Sequence, residues 1–267
     1  MGRLERALER MKHGEPEGGL AHRSRPMPGA RTRSPGLIGS ELPVTQLDKE
    51  ALLRNRVVTT ATDAGPRTAY KMLRTRVLQR MRTNGWQSLA VTSATPSDGK
   101  TLTSVNLAIS LAGDVNHNVC LVDLDLRHSS ISRYLGLPDG PGTSDCLRGE
   151  ATLEQALVKP DIERLLVLPN LHTESNSSEL ISSPEMHEIA QRLVLDDPQR
   201  IVIYDMPPLL SADDMLAFAP FTDAVLFVVS EGATRQTDVV KARELLETVN
   251  VIGTVLNQSD VKTASYY

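Results

Sequence analysis

Six short runs of apolar and β-branched residues recur along the chain, and each is typical of a buried strand. The predicted strands are residues 87–92, 118–123, 165–169, 201–205, 224–229 and 251–256. The stretches between them carry apolar residues at helical spacing, and the predicted helices are residues 67–82, 101–112, 184–195 and 236–249. Because strands and helices alternate, we expect a mostly parallel sheet with helices on both faces, which is an α/β fold.

The first 65 residues have a different pattern and are predicted to form a largely disordered extension. Leu4, Leu8 and Met11 share one face of a short predicted helix, whose role in binding a partner, in lying on an anionic membrane or in neither stays open. Residues 13–40 are rich in Pro, Gly, Ser and Arg, as in a linker, and residues 47–58 are predicted to contain another short helix. The predicted divisions are an extension (1–65), an ATP-binding domain (66–260) and a C-terminal tail (261–267).

A turn-rich segment, Ala94-Thr-Pro-Ser-Asp-Gly-Lys-Thr101, separates the first of these strands from the helix that follows it. This is the strand–loop–helix context of a P-loop, in which backbone N–H groups and the helix N-terminus cradle phosphate oxygens. Lys100 is expected to reach the β- and γ-phosphates of ATP, and the Thr101 hydroxyl to ligate Mg²⁺. Ala94 replaces the usual opening Gly, which costs little where φ is not positive. The residues predicted to bind ATP here are Thr95, Pro96, Ser97, Asp98, Gly99, Lys100, Thr101 and Leu102.

Acidic residues end two other predicted strands. Asp123 and Asp125 lie two residues apart, so a continuing strand would direct both to the same side. Carboxylates at the carboxyl ends of parallel strands face the crevice where ligands bind, and there one can hold Mg²⁺ while another orients or deprotonates an attacking hydroxyl. Asp205 has the Walker B position, and Pro207 and Pro208 end its strand. The alternative for Asp123 and Asp125 is a helix N-cap and a solvent-facing acid, and the alternative for Asp205 is a plain acid that ends a strand.

With these motifs in place, the chain resembles the bacterial tyrosine kinases of exopolysaccharide export, which are P-loop proteins unrelated in fold to eukaryotic protein kinases. That family combines a Walker A motif, a Walker A′ motif ending Asp-x-Asp-x-Arg, a Walker B motif ending Asp-x-Pro-Pro and a tyrosine-rich C-terminus. The matching segments are 94–101, Asp123-Leu-Asp125-Leu-Arg127, Asp205-Met-Pro207-Pro208 and Ser265-Tyr266-Tyr267. The likeness extends from about Arg67 to the C-terminus.

The resemblance assigns roles to individual residues. It implies a catalytic set of Lys100, Asp123 and Asp125, a Mg²⁺ site of Thr101, Asp123 and Asp205, and the phospho-acceptors Tyr266 and Tyr267. Asn257 matches a position near the nucleotide base. Asp213 matches an acid that follows the Walker B motif, although a helix N-cap explains it equally well.

The family also has a helix with Glu-x-x-Arg-x-x-Arg that packs subunits into a ring. The matching residues here are Thr68, Lys71 and Arg74, so only the last cation is the same. Lys cannot replace the bidentate Arg, and Thr has no charge, so it stays open whether subunits of this chain assemble into a ring. Self-association itself is what the resemblance implies. Arg74 and Arg127 are the predicted interface residues.

Composition narrows the setting. The 267 residues carry a net charge of −4, so strong nucleic-acid binding is not expected. Two cysteines, Cys120 and Cys146, show neither a disulfide framework nor metal spacing and suit a reducing cytosol. The apolar runs are shorter than the ~20 residues of a membrane span, and no signal peptide is evident. The expected location is cytoplasmic, at the inner membrane through a partner, which the resemblance implies is a separate, membrane-embedded polysaccharide chain-length regulator.

Two alternative functions belong to other classes of protein: a partition or cell-division ATPase, and a non-enzymatic module that binds ATP. Partition and cell-division ATPases carry a second Lys early in the P-loop, where this chain has Thr95. A non-enzymatic, ATP-gated module of the export machinery would bind nucleotide without phosphorylating anything. The tail, with only Tyr266 and Tyr267, leaves that second alternative open.

Overall fold

The computed structural model describes residues 39, 41–59 and 62–259, all of which belong to one compact unit. Its strands are β1 (Val44–Thr45), β2 (Ser88–Ser93), β3 (Asn118–Asp123), β4 (Lys159–Pro160), β5 (Leu165–Leu168), β6 (Arg200–Asp205), β7 (Ala224–Ser230) and β8 (Val251–Asn257). Six of them form one parallel sheet in the order β5–β3–β6–β2–β7–β8, and β1 pairs with β4 in a small second sheet. All six predicted strands are therefore confirmed, and their ends shift by no more than one residue.

The helices are α1 (Lys49–Arg54), α2 (Ala64–Asn84), α3 (Lys100–Ala112), α4 (Ile131–Leu135), α5 (Thr143–Leu147), α6 (Leu153–Ala156), α7 (Ser177–Ile181), α8 (Pro184–Leu195), α9 (Asp214–Phe218) and α10 (Gln236–Leu245). The four long predicted helices correspond to α2, α3, α8 and α10. The short helix expected within residues 47–58 is α1. None of the described helices is long and apolar enough to span a membrane.

Apolar side chains pack on both faces of the large sheet. Within β2, Leu89 and Val91 belong to the core layer beneath α2 and α3, whereas Ala90 belongs to the opposite layer, beneath α8 and α10. This alternation follows from the two-residue period of a strand, and it buries the central strand on both faces. The predicted α/β fold, with a mostly parallel sheet between two layers of helices, is confirmed.

The segment before α2 packs on the same core. Leu47, Leu52 and Val57 are buried in the layer that α2 and α3 cover. The predicted N-terminal helix with Leu4, Leu8 and Met11, the linker apart from residue 39, and the tyrosine tail lie outside the described residues. The three domain boundaries therefore stay predictions.

The strand order sets the position of the candidate site. β2 is flanked by β6 and β7, and its carboxyl end leads directly into the loop before α3. Since all six strands are parallel, the ends of β3, β6 and β8 reach the same edge of the sheet as this loop. The acidic motifs and Asn257 are thereby brought to the phosphate loop.

Candidate active site

The loop between β2 and α3 is held together by the side chain of Asp98. This buried carboxylate accepts hydrogen bonds from the Thr95 backbone N–H (3.0 Å) and hydroxyl (3.1 Å), and from the Thr234 hydroxyl (2.7 Å). Pro96 and Ser97 form the exposed tip of the loop. The Asp98 carboxylate therefore shapes the loop from within and ties it to the segment after β7.

The backbone conformation of the loop requires glycine at position 99 but not at position 94. Gly99 has φ of 90°, and a Cβ there would overlap Nδ2 of Asn257. Ala94, by contrast, lies outside the left-handed region, which confirms that alanine at the opening of the motif causes no strain. The predicted P-loop residue Leu102 follows in the first turn of α3, where it is half-buried.

The end of β8 also supports the loop. The side-chain amide of Asn257 donates to the carbonyl of Asp98 (2.9 Å), and that of Gln258 donates to the carbonyl of Ser97 (3.1 Å). Sequence reasoning linked Asn257 to the nucleotide base, and the structure places it against the phosphate loop. Its contact with the base stays a prediction, and the role of Gln258 was missed.

Lys100 lies at the centre of a buried polar cluster. Its Nζ is 2.6 Å from Asp125 Oδ2 and 3.7 Å from Asp205 Oδ2, and it donates to the Thr101 hydroxyl at 3.2 Å. Thr101 in turn donates to Asp205 Oδ2 at 2.6 Å. Burial alone lowers the pKa of Lys100, but the charges of Asp205 and Asp125 outweigh that effect and raise the pKa. The ammonium group therefore stays protonated inside the site.

Asp123 is fully buried at the end of β3. It accepts hydrogen bonds from the backbone N–H groups of Ser130 (3.2 Å) and Ile131 (3.1 Å) at the start of α4. The strand ends here and does not continue, so Asp125 reaches Lys100 from a turn in which its own N–H donates to Asp123 (3.2 Å). Burial and the charge of Asp205 raise the pKa of Asp123 well above its ordinary value. Burial also raises the pKa of Asp205, although Lys100 opposes that shift.

These side chains fit a magnesium ion. Lys100 pairs with Asp125 and Asp205, and Asp123 is buried close to them, so three acids face a single lysine in a site that is almost closed to water. The Thr101 hydroxyl and the carboxylates of Asp123 and Asp205 are the hard oxygen ligands that Mg²⁺ prefers. Within the described ranges no group of three or more Asp, Glu, His or Cys side chains could hold a metal ion by itself, so Mg²⁺ at this site would need waters and substrate phosphates as further ligands.

Ser104 belongs to the same cluster and was missed from the sequence. Its hydroxyl donates to Asp205 Oδ1 (2.9 Å) and lies 3.0 Å from the carbonyl of Lys100. Ser104 follows Thr101 by three residues, so both face the site from the same side of α3. Helical spacing counted from Thr101 could have identified it.

Arg127 of the Walker A′ motif contacts a further buried acid, Asp214. Its Nε lies 3.4 Å from Asp214 Oδ2, and the Ser177 hydroxyl is 2.9 and 2.8 Å from the two oxygens of that carboxylate. Burial raises the pKa of Asp214, although Ser177 and Arg127 oppose the shift. Asp213, the acid singled out from the sequence, is instead exposed at the N-cap of α9, where its side chain makes no capping hydrogen bond.

The two predicted interface residues both have partners within the chain. Arg74 donates from Nη1 to the carbonyl of Ser110 near the end of α3 (3.0 Å), and Arg127 is paired with Asp214. Their role between subunits stays a prediction.

No protein-family model matches the chain, but individual proteins do. The tyrosine-protein kinase YwqD of Bacillus subtilis is 30% identical over 200 residues, which cover 74% of this chain and 83% of that protein. The succinoglycan biosynthesis transport protein ExoP of Rhizobium meliloti is 29% identical over 187 residues, which cover 67% of this chain but 23% of ExoP.

Two solved structures resemble the chain to different degrees. The chimerical protein CapA2B2 superimposes with a TM-score of 0.70 at 26% identity, over 82% of this chain and 95% of that chain. The Pyrococcus furiosus cell division ATPase MinD gives a TM-score of 0.54 at 27% identity, over 65% of this chain and 74% of that chain. The fold is thus shared with positioning ATPases, while the likeness to YwqD covers most of both proteins. The chain belongs to the bacterial tyrosine kinases of exopolysaccharide biosynthesis.

Proposed function

We propose that the chain transfers the γ-phosphoryl group of ATP to protein tyrosines, including Tyr266 and Tyr267 of a neighbouring copy. The observation that supports this most directly is the buried cluster in which Lys100 lies 2.6 Å from Asp125 and 3.7 Å from Asp205. It combines Lys100, a cation that can bind a polyphosphate, with Asp125, a carboxylate that the proposed Mg²⁺ site does not use.

The residues of the loop would bind and orient ATP. Lys100 would exchange its contact with Asp125 for oxygens of the β- and γ-phosphates, which offset its charge equally well. Thr101, Asp123 and Asp205 would hold Mg²⁺, which neutralises charge on the transferred group when it is bound. Ser104 would keep Asp205 in the orientation seen in the structure.

The acceptor is a phenol whose ordinary pKa is about 10, so it needs a base near neutral pH. In the proposed step the phenol oxygen bonds to the γ-phosphorus, the bond from that phosphorus to the β–γ bridging oxygen breaks, and ADP leaves. Asp125 or Asp123 accepts the phenol proton. Asp125 becomes available when Lys100 turns to the phosphates, which supports it as the base.

The proposed biological setting is the control of polysaccharide polymerisation and export. The ExoP relative supports it, because the matching region is a minor part of a larger transport protein. We infer that this chain acts in the cytoplasm beside the inner membrane, with a membrane-embedded chain-length regulator as a separate partner.

The test is to incubate the purified full chain with Mg·ATP and to map phosphotyrosine by mass spectrometry. Phosphate is expected on Tyr266 and Tyr267, and Tyr266→Phe/Tyr267→Phe should remove it. Lys100→Met should abolish labelling, whereas Lys241→Met, which changes an exposed lysine of α10, should not.

Other outcomes would identify the competing functions. If the wild-type chain binds ATP but yields no phosphotyrosine, even with the cytosolic segment of its partner, the protein is an ATP-gated module and not a kinase. Phosphate release that DNA stimulates would indicate a partition ATPase.

A further inference from the structure

One residue of the phosphate loop has a strained backbone conformation although it is not a glycine. Ser97, at the tip of the loop, has φ of 69°, which lies in the left-handed region that residues with a side chain rarely adopt. Gly99 also has positive φ, and Asp98 between them does not. Alternation of this kind turns successive backbone N–H groups toward one side, and such concavities bind anions. The strain at Ser97 therefore belongs to the part of the loop that would meet phosphate oxygens.

A second left-handed residue contacts the first. Gln258 directly follows β8 and has φ of 56°. Its side-chain Nε2 donates to the carbonyl of Ser97 at 3.1 Å, although the two residues are 161 positions apart in the sequence. Among the described residues other than glycine, four have positive φ, and these are two of them. Strain of this kind persists only where the surrounding structure maintains it.

Ser230 fixes the orientation of the Gln258 amide. Its hydroxyl donates to Oε1 of Gln258 at 2.7 Å, and Ser230 is itself buried at the end of β7. Because the carbonyl of Ser97 can only accept, the NH₂ group of the amide must face Ser97 and the oxygen must face Ser230. The N–H of Ser230 donates to the Thr234 hydroxyl at 2.8 Å, and that hydroxyl donates to Asp98 at 2.7 Å. The amide is thus held by a strand end that reaches the loop by a second route.

We propose that Gln258 is a positioning residue for ATP, whose amide holds Ser97 in the left-handed conformation that the phosphate-binding form of the loop requires. A residue with a side chain disfavours that conformation by a factor of about five or more. One hydrogen bond to a backbone carbonyl can offset a factor of about five, so the two effects are of the same size. The inference rests on ATP binding, which is part of the proposed function, and it does not require phosphoryl transfer to tyrosine.

A role confined to the packing of β8 is less well supported. Gln258 is exposed, and its side-chain hydrogen bonds go to the loop and to Ser230. The strand is already paired with β7 along its length, up to the register pair of Ser230 and Asn257. Loss of the amide should therefore leave the core intact and alter the loop.

The experiment is isothermal titration calorimetry of the purified full chain with Mg·ATP. Gln258→Met keeps a side chain of similar length without the amide, and it should raise the Kd for ATP about fivefold. Ser230→Ala leaves the amide in place but removes the group that orients it, so it should raise the Kd by a smaller factor of about two to three.

Ser97→Gly separates positioning from other effects of the variant. Glycine adopts positive φ without strain, so a loop with glycine at this position no longer depends on the amide. In the Ser97→Gly background, Gln258→Met should therefore raise the Kd less than about twofold, against about fivefold in the wild-type background. A role confined to the packing of β8 would give the same factor in both backgrounds.

Gln87→Met is the matched control. Nε2 of Gln87 also donates to a backbone carbonyl, that of Pro198 at 2.9 Å, but it lies just before β2, at the other end of that strand from the loop. This variant loses the same chemical group and should bind Mg·ATP within about twofold of wild type. Circular dichroism and urea denaturation check the fold of each variant.

Two results would overturn the proposal while leaving the proposed function intact. If Gln258→Met binds ATP like wild type, the loop keeps its conformation without the amide. If Gln258→Met raises the Kd equally in both backgrounds, the amide does not act through the conformation of Ser97. A wild-type chain that binds no Mg·ATP would instead overturn the proposed function, and this inference with it.

Discussion

Gly99 is the residue on which the shape of the phosphate loop depends most. Its φ of 90° is unfavourable for any side chain, and a Cβ would overlap the amide of Asn257, which holds the loop through the carbonyl of Asp98. Gly99→Ala is therefore expected to displace Asn257 and to weaken ATP binding by about 1.4 kcal/mol or more, which is at least about tenfold in Kd. Isothermal titration calorimetry with Mg·ATP measures this.

Gly149 provides the control for backbone strain. It has a similar φ of 72°, but a Cβ there would meet no atom within 4 Å. Gly149→Ala should lower the free energy of unfolding slightly while leaving the ATP affinity unchanged. If both variants bind ATP like wild type, the clash with Asn257 does not control the loop.

Tyr204 illustrates the cost of burying a polar group that has no hydrogen-bond partner. Its ring lies in the core against Phe218, and within the described ranges its hydroxyl is buried without a hydrogen-bond partner. Tyr204→Phe removes that hydroxyl and keeps the ring, so we expect the free energy of unfolding to rise by about 1 kcal/mol. Urea denaturation gives the value.

Thr92→Val is the opposite case, because the buried Thr92 hydroxyl donates to the carbonyl of Pro207 at 2.7 Å. This variant should lose about 1 kcal/mol. A loss of stability in Tyr204→Phe as well would show that the buried hydroxyl has a partner, such as an ordered water.

At the scale of elements, the sequence predicted those whose pattern is long enough to repeat. The six strands of the sheet and helices α2, α3, α8 and α10 each show several periods of apolar residues, and all of them are found. Helices α4 to α7 and α9 have four or five residues each, which is barely one turn and shows no period. The two-residue strands β1 and β4 are equally invisible in a sequence pattern.

The same reasoning explains which site residues were predicted. Lys100, Asp125 and Asp205 occupy fixed places in motifs, and the parallel sheet brings those motifs together. Ser177 and Asp214 belong to no motif, and they meet Arg127 only because three short elements converge. Contacts of this kind follow from tertiary packing and leave no local signal.

This Arg127–Asp214–Ser177 contact joins the loop after β3 to α7 and α9, and it should give the fold a pH dependence. The folded-state pKa of Asp214 is raised, so its neutral form is favoured by folding, and the resulting stabilisation is present below the ordinary pKa of about 4 and declines as the pH rises through the folded value. Asp214→Asn cannot ionise. The free energy of unfolding of wild type minus that of Asp214→Asn should therefore decrease as the pH is raised from about 4.

Denaturant titrations of both proteins across that range measure the difference, with Asp213→Asn as the control for an exposed neighbour. A difference that increases with pH would mean that Arg127 and Ser177 outweigh burial and that the folded pKa of Asp214 is lowered.

At the scale of the whole molecule, the last described residues and the carboxylate proposed as the base lie on opposite sides of β2, the strand that leads into the phosphate loop. Asn257 and Gln258 at the end of β8 contact the phosphate loop, whereas Asp125 follows β3, four strand spacings away in the sheet. At about 4.8 Å per spacing the separation is about 19 Å. The eight residues from Gln258 to Tyr266 span at most about 28 Å, so a tail entering its own site would have to cross the loop and its ATP at about two thirds of its full reach. The entropy lost in that conformation favours entry into a neighbouring copy.

Two variants that are each expected to be inactive alone can test whether the tail enters a neighbouring copy. Lys100→Met keeps the tail tyrosines without the phosphate-binding lysine, and Tyr266→Phe/Tyr267→Phe keeps the site without the acceptors. Mixed with Mg·ATP, they should yield phosphotyrosine on the Lys100→Met chain, at a rate that rises with the concentration of either partner. Mass spectrometry distinguishes the two chains by their tail peptides. A silent mixture beside a wild-type chain that labels itself at a concentration-independent rate would show that the tail enters its own site, and that the separation of about 19 Å across the sheet is bridged within one molecule.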